Sequence, residues 1–195
     1  MMGNSQLFHV EQLSTVTLLR LNSSDGTNRL ARALVLALTN AIRQLPPHPL
    51  VITGNDRFFS AGADLSEIAA LNGPQAYEFA HMGQALMSAI DRFPALVIAA
   101  ISGYCMGGGL DLALACDVRI AHPHAVFGHR GAALGLITGW GGTQRLPRLI
   151  GRARALEMLI AAEKLSAYRA LDLGLVDSLS SDPGASAMDQ LRASS

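Results

Sequence analysis

Residues 98–118 read IAAISGYCMGGGLDLALACDV. With Leu96 and Val97 ahead of it, the start of this stretch is an uninterrupted apolar run, Leu96–Ile101, which predicts a fully buried strand. Gly103 ends the run, and the Gly107–Gly109 triplet opens an apolar small-residue segment, Gly108–Cys116, of helical length. Val118–Ala121 then has the look of a further strand. Strand, glycine turn, helix and strand in close succession predict an α/β chain with mostly parallel pairing.

The same alternation extends in both directions. Thr15–Leu21 alternates as a strand and is followed by turn residues Asn22–Gly26. Apolar residues recur at helical spacing from Arg29 to Leu45, where Pro46 and Pro47 stop the segment. Leu50–Thr53 is a short strand ending at Gly54, Leu65–Leu71 a short helix, and Gln75–Phe93 a longer one. Downstream, Gly151–Ala162 reads as a helix, Ser166 is placed to cap a last helix ending near Gly174, and Leu175–Leu179 is strand-like. The remaining residues, SSDPGASAMDQLRASS from Ser180, are small and polar, so one domain over 1–179 and a mobile tail over 180–195 are expected.

Two glycine turns follow buried strands and open helices. In the first, Phe58–Leu65 (FFSAGADL), Gly62 permits a tight turn and Asp64 can cap the helix that begins at Leu65. In the second, three successive glycines expose backbone N–H groups where a helix starts, and the helix dipole adds positive character there. A carbonyl oxygen set between two such turns would be polarised by backbone donors, as stabilising an enolate requires. A thioester suits that role, because its carbonyl conjugates poorly with sulfur. Spacing alone also fits a second reading, in which the glycines serve close packing.

The 98–118 stretch resembles the signature of the enoyl-CoA hydratase/isomerase (crotonase) family along its whole length, including the Ala-Cys-Asp ending at Asp117. FFSAGADL resembles the family's first oxyanion turn. Phe127-Gly128, Gly141–Arg148 (GGTQRLPR) and Ser166–Val176 (SAYRALDLGLV) resemble its later landmarks, in order, so the likeness spans about Leu18 to Leu179. The resemblance implies a spiral of repeated ββα units with a shortened C-terminal helical region, assembled as a homotrimer or hexamer. It implies that the oxyanion donors are the amides of Ala63 and Gly108, with Asp111 as the catalytic carboxylate. Ala61, Gly62, Asp64, Leu65, Gly107, Gly131 and Trp140 would border the substrate. The substrate would be an acyl-CoA or enoyl-CoA, with coenzyme A entering as part of it and no separate cofactor.

Two positions depart from the family pattern. Hydratases place two glutamates around the reacting carbons. The first corresponds to Asp111, one methylene shorter, and the second to Gly131, which has no side chain to act as a base. Gly139 stands where dehalogenases and dienoyl isomerases carry an aspartate, and Thr138 where the naphthoate-synthase branch does. Asp111 is therefore the one carboxylate in place. His129 and Arg130 flank the gap, and His129 is either a structural imidazole or a replacement acid or base. Trp140 either lines an acyl pocket or packs, Asp117 is a cap rather than a catalyst, and Arg57 either reaches a CoA phosphate or is solvated. A non-catalytic acyl-CoA-binding or accessory subunit that kept the fold is the alternative function.

Composition excludes several other classes. The 195 residues carry 15 Lys+Arg against 15 Asp+Glu, and no basic tract, which argues against a nucleic-acid partner. No run reaches the roughly 18 uncharged apolar residues of a membrane span, and Met1–Val10 lacks the pattern of a signal peptide. Cys105 and Cys116 have no metal-ligand spacing and read as reduced core thiols of a cytoplasmic protein. Half of the residues are hydrophobic and mean hydropathy is +0.28, which favours subunit contacts. Neither G-x-x-x-x-G-K-[ST] nor G-x-S-x-G occurs, so a nucleotide-binding loop and a serine-hydrolase elbow are both disfavoured.

Overall fold

The apolar runs pair edge to edge in the computed structural model, which describes residues 7–193. Parts of two sequence expectations, the N-terminal reading over 1–6 and the end of the tail over 194–195, lie outside the described residues. In chain order, β1 (Phe8–Gln12), β2 (Thr17–Leu21) and β3 (Arg29–Leu30) lead into α1 (Arg32–Gln44). Next come β4 (Leu50–Thr53), β5 (Phe58–Ser60), β6 (Gly62–Ala63), α2 (Leu65–Ala69) and α3 (Gly73–Asp91). They are followed by β7 (Val97–Ile101), β8 (Tyr104–Met106), α4 (Gly108–Ala115), β9 (Val118–Ala121) and β10 (Val126–Gly128). A 3-10 turn over Ala132–Leu134 precedes α5 (Gly142–Ile150), α6 (Arg152–Ala161), β11 (Lys164–Ser166), α7 (Ala167–Asp172), β12 (Ser178–Leu179) and α8 (Pro183–Ala193).

The strands form two main sheets, ordered β1-β2-β4-β7-β9-β12 and β11-β10-β8-β5, with a two-stranded pair β3-β6. Only the β1–β2 and β10–β11 pairings are antiparallel among the described residues; the others are parallel. The chain repeatedly sends one strand to the first sheet and the next to the second: β4 then β5, β7 then β8, β9 then β10. That is the expected spiral of ββα units. Every residue of β7 is buried, as a strand covered on both faces requires. Leu50, Ile52, Val97, Ala99 and Ile101 join the main core with α1 and α3, while Val51, Ile98, Ala100 and Ile120 face a second apolar cluster.

The helix expected over Arg29–Leu45 begins three residues later, at Arg32. Arg29 and Leu30 instead pair in parallel with Gly62 and Ala63. The buried side chain of Asn28, whose φ is +51°, donates to the carbonyls of Phe58 and Phe59 and holds the chain in a turn just before β3. The strand expected over Leu175–Leu179 is confined to Ser178–Leu179, because the amides of Leu175 and Val176 return to Ala170 O and close α7. Residues 180–193 correct the expectation of a mobile tail. They carry α8, whose Ala187 and Leu191 complete the second cluster against β4, β7 and β9. The expectation failed because a small-residue helix has weak periodicity of its own and is fixed by the sheet face it covers.

No helix among the described residues is long and apolar enough to cross a membrane.

Candidate active site

The two glycine turns meet backbone to backbone. Gly62 has φ +96°, and a Cβ built there would lie 2.7 Å from Met106 O and 3.2 Å from Gly108 N. A Cβ on Gly108 would come within 3.3 Å of Ala63 N and 2.5 Å of the Trp140 ring. No side chain fits between β6 and the start of α4, so glycine is required on both sides. The turns are held from outside the contact: Ala61 N–H donates to Thr27 O, Gly62 N–H to Ser60 Oγ, and Gly107 N–H to Gly128 O. As the first helical residue, Gly108 has an amide with no acceptor in its own helix.

A cleft of about 740 Å³ opens at this junction. Ala61, Gly62, Ala63, Leu65, Gly107, Gly108, Asp111, Gly131 and Trp140 all line it, so nearly every residue expected at the site is brought together. Asp64 is the exception. Its side chain caps α2 by accepting from Ser66 N and Glu67 N, and also pairs with the Ser66 hydroxyl. Those bonds, the Ser66 hydroxyl first, hold its carboxyl below the usual carboxylate range. It shapes the turn rather than the cleft wall.

Asp111 sits in the first turn of α4 and is 2% exposed. Its Oδ2 accepts from Thr138 Oγ1 at 2.6 Å, and its Oδ1 faces His129 Nε2 at 3.2 Å. The carboxylate presses on the start of α5, where a Cβ on Gly142 would overlap Oδ1 at 2.3 Å. Asp111 is thus not the isolated carboxylate its surroundings in the sequence imply. His129 and Thr138 stand 18 and 27 residues away along the chain and no short motif links them to it. The sequence signal was limited to His129 and Arg130 standing just before Gly131.

Trp140 both packs and lines the cleft, since its ring lies against Phe79 and its Nε1–H donates to Phe79 O at 3.2 Å. Arg130 and Lys164, which the sequence does not single out for this role, also line the cleft and bring positive charge to it. Lys164 Nζ lies 5.3 Å from the centre of the Tyr104 ring. Arg57 is exposed over Phe58 and is not among the lining residues. Asp117 accepts from Val97 N–H at 2.8 Å while its own amide donates to Val97 O, a latch between α4–β9 and β7 as expected of a cap.

The thiols are structural. Cys105 and Cys116 are free and buried, and burial above all pushes Cys116 up to about 12 and Cys105 well above its ordinary value. No group of three or more His, Cys, Asp or Glu that could hold a metal exists among the described residues.

A second cavity of about 710 Å³ lies beyond the 131–138 segment, between it and helices α5 and α6. The two cavities share His129, Gly131, Leu136, Ile137 and Thr138 as lining residues.

The family model for enoyl-CoA hydratase/isomerase matches residues 11–193. A probable enoyl-CoA hydratase of Bacillus subtilis (strain 168) is 50% identical over 128 residues, 65% of this chain and 50% of that protein. A crotonyl-CoA hydratase of Syntrophomonas wolfei is 37% identical over 173 residues, 86% of this chain and 66% of that protein. The crystal structure of an enoyl-CoA hydratase from Bacillus anthracis superposes with a TM-score of 0.91 at 36% identity, covering 96% of this chain and 76% of that one. The chain therefore spans half the length of the Bacillus subtilis relative and about two thirds of the Syntrophomonas one.

Proposed function

The chain belongs to the enoyl-CoA hydratase/isomerase family, and on that premise we propose that it acts on an acyl-CoA or enoyl-CoA thioester through an enolate stabilised by the amides of Ala63 and Gly108. The observation that carries this reading is the side-chain-free approach of Gly62–Ala63 to Gly107–Gly108 at the wall of an apolar cleft that also holds Asp111. Two preorganised amides facing a developing oxyanion in such a site supply several kcal/mol; removal of one donor typically costs about 10²–10³ in kcat. Asp111 is the carboxylate of the site, and Arg130 and Lys164 offer cations for the CoA phosphates. Coenzyme A enters as part of the substrate and no further cofactor takes part.

The test is loss of the conjugated-thioester absorbance of crotonyl-CoA on addition of the protein, with Asp111→Asn as control. Turnover by the wild type and its loss in Asp111→Asn is the expected result; equal activity in the two would remove Asp111 from the chemistry. One observation favours a second reading, an accessory acyl-CoA binder: Gly131 leaves no carboxylate at the second catalytic position. Binding of butyryl-CoA without turnover across a panel of acyl chain lengths would establish that reading instead.

A further inference from the structure

Both oxygens of Asp111 are occupied, one by Thr138 Oγ1 at 2.6 Å and one by His129 Nε2 at 3.2 Å. A carboxylate that is 2% exposed and bonded at both oxygens has little freedom to approach a substrate carbon. His129 is differently placed. It is 6% exposed, it lines the cleft with Gly108 and Asp111, and Nε2 is the one ring nitrogen with a hydrogen-bond partner among the described residues. Thr17 Oγ1 is the sole fully buried side-chain polar atom without a partner among those residues, so Nδ1 of His129 keeps contact with solvent.

A carboxylate can only accept, so Nε2 carries the hydrogen, and in the neutral imidazole Nδ1 presents its lone pair. The same carboxylate would stabilise the imidazolium formed when Nδ1 takes a proton, the division of labour known from serine-protease triads. Thr138 completes the support from Asp111's other side, and Gly142 leaves the carboxylate room.

We propose that His129 is the proton-transfer residue of the thioester reaction, in the place left by Gly131, and that Asp111 and Thr138 are its positioning residues. This rests on the thioester reading above. In hydration, Nδ1 takes a proton from water as the water oxygen bonds to the β carbon. The electrons of the C=C bond move through the α carbon to the thioester oxygen, held by the amides of Ala63 and Gly108. As the C=O re-forms, the imidazolium returns its proton to the α carbon. One water is added across the double bond, the imidazole is regenerated, and nothing is oxidised or reduced.

The experiment compares wild type, His129→Gln, His129→Asn, Asp111→Asn and the double variant His129→Gln/Asp111→Asn. Crotonyl-CoA hydration is measured alongside calorimetric binding of butyryl-CoA and thermal melting. The expected result is a kcat loss of about 10²–10⁴-fold in both His129 variants with KM within roughly threefold of wild type. Butyryl-CoA binding and melting temperature are retained in at least one of them. Exogenous imidazole restores part of the rate in one further variant, His129→Gly. Because Asp111 acts through His129, adding Asp111→Asn to His129→Gln costs little further rate; a separate structural role would make the two losses multiply. Folded, binding-competent His129 variants with near wild-type kcat overturn the assignment of His129 and leave the thioester reading standing. Multiplying losses overturn the positioning role of Asp111. A wild type that binds no butyryl-CoA, or binds without turnover, defeats the thioester reaction and this proposal together.

Discussion

A Cβ at Gly131 would lie 2.7 Å from Leu136 O, in a turn closed by the Leu134 and Leu136 amides donating to Gly131 O. The missing glutamate is therefore built into the backbone path of this segment. Gly131→Glu is expected to destabilise the turn by about 1–3 kcal/mol through overpacking and to lower crotonyl-CoA turnover. Steady-state kinetics and a melting curve would check it, and a rise in kcat with unchanged stability would show that the segment opens readily. Cys105 and Cys116 lead to a second expectation at this scale. With burial holding both protonated, neither should react with a thiol reagent at pH 8 until the chain unfolds, in an assay timed against unfolding. The linkage has a definite sign: the folded state keeps the Cys116 proton that the unfolded state loses near 9.0, so this thiol's contribution to stability declines as pH rises from there towards about 12. At the level of single residues the cap at Asp64, the latch at Asp117 and the glycine turns were legible, because each is local chemistry at fixed spacing. The Asp111–His129–Thr138 cluster was not, because its members meet only when α4, β10 and the segment before α5 are folded together.

Among the elements, the absence of α8 from the sequence reading had a physical cause and a consequence. A strand as apolar as Val97–Ile101 needs both faces covered, and its alternate residues, Ile98 and Ala100, pack with Ala187 and Leu191. Leu191 is 2% exposed, so Leu191→Ala should cost about 2–5 kcal/mol by denaturant melts, while binding of a CoA thioester by the folded protein is unchanged. A loss nearer zero would mean that α8 is dispensable to the sheet. The helix α5 was also hidden from the sequence, since it starts on Gly142 and contains Pro147; its packing against α4 and α6 decides its conformation.

On the molecule as a whole, Leu134, Ile137, Leu156 and Ile160 are 57%, 75%, 59% and 66% exposed around the two cavities. Apolar area of this kind fits the subunit contacts expected from the composition. The family resemblance implies a trimer, or a multiple of one, of the 20.5 kDa chain, and Ile137→Arg with Ile160→Asp is expected to reduce the mass in solution to that of a monomer. Light scattering coupled to size exclusion would decide, and a wild-type monomer at every concentration would sink the expectation. The amino-acid sequence by itself determined the α/β class, most strands of the first sheet with their helices and the two glycine turns, because periodicity, capping and glycine geometry act over a few residues, while the spiral of ββα units was implied only by the family resemblance of its motifs. Tertiary structure decided where a cap ends and a cleft begins at Asp64, which face α8 covers, and how Asp111 is engaged by His129 and Thr138. Those depend on contacts between residues far apart in the chain, and no local rule of spacing encodes them.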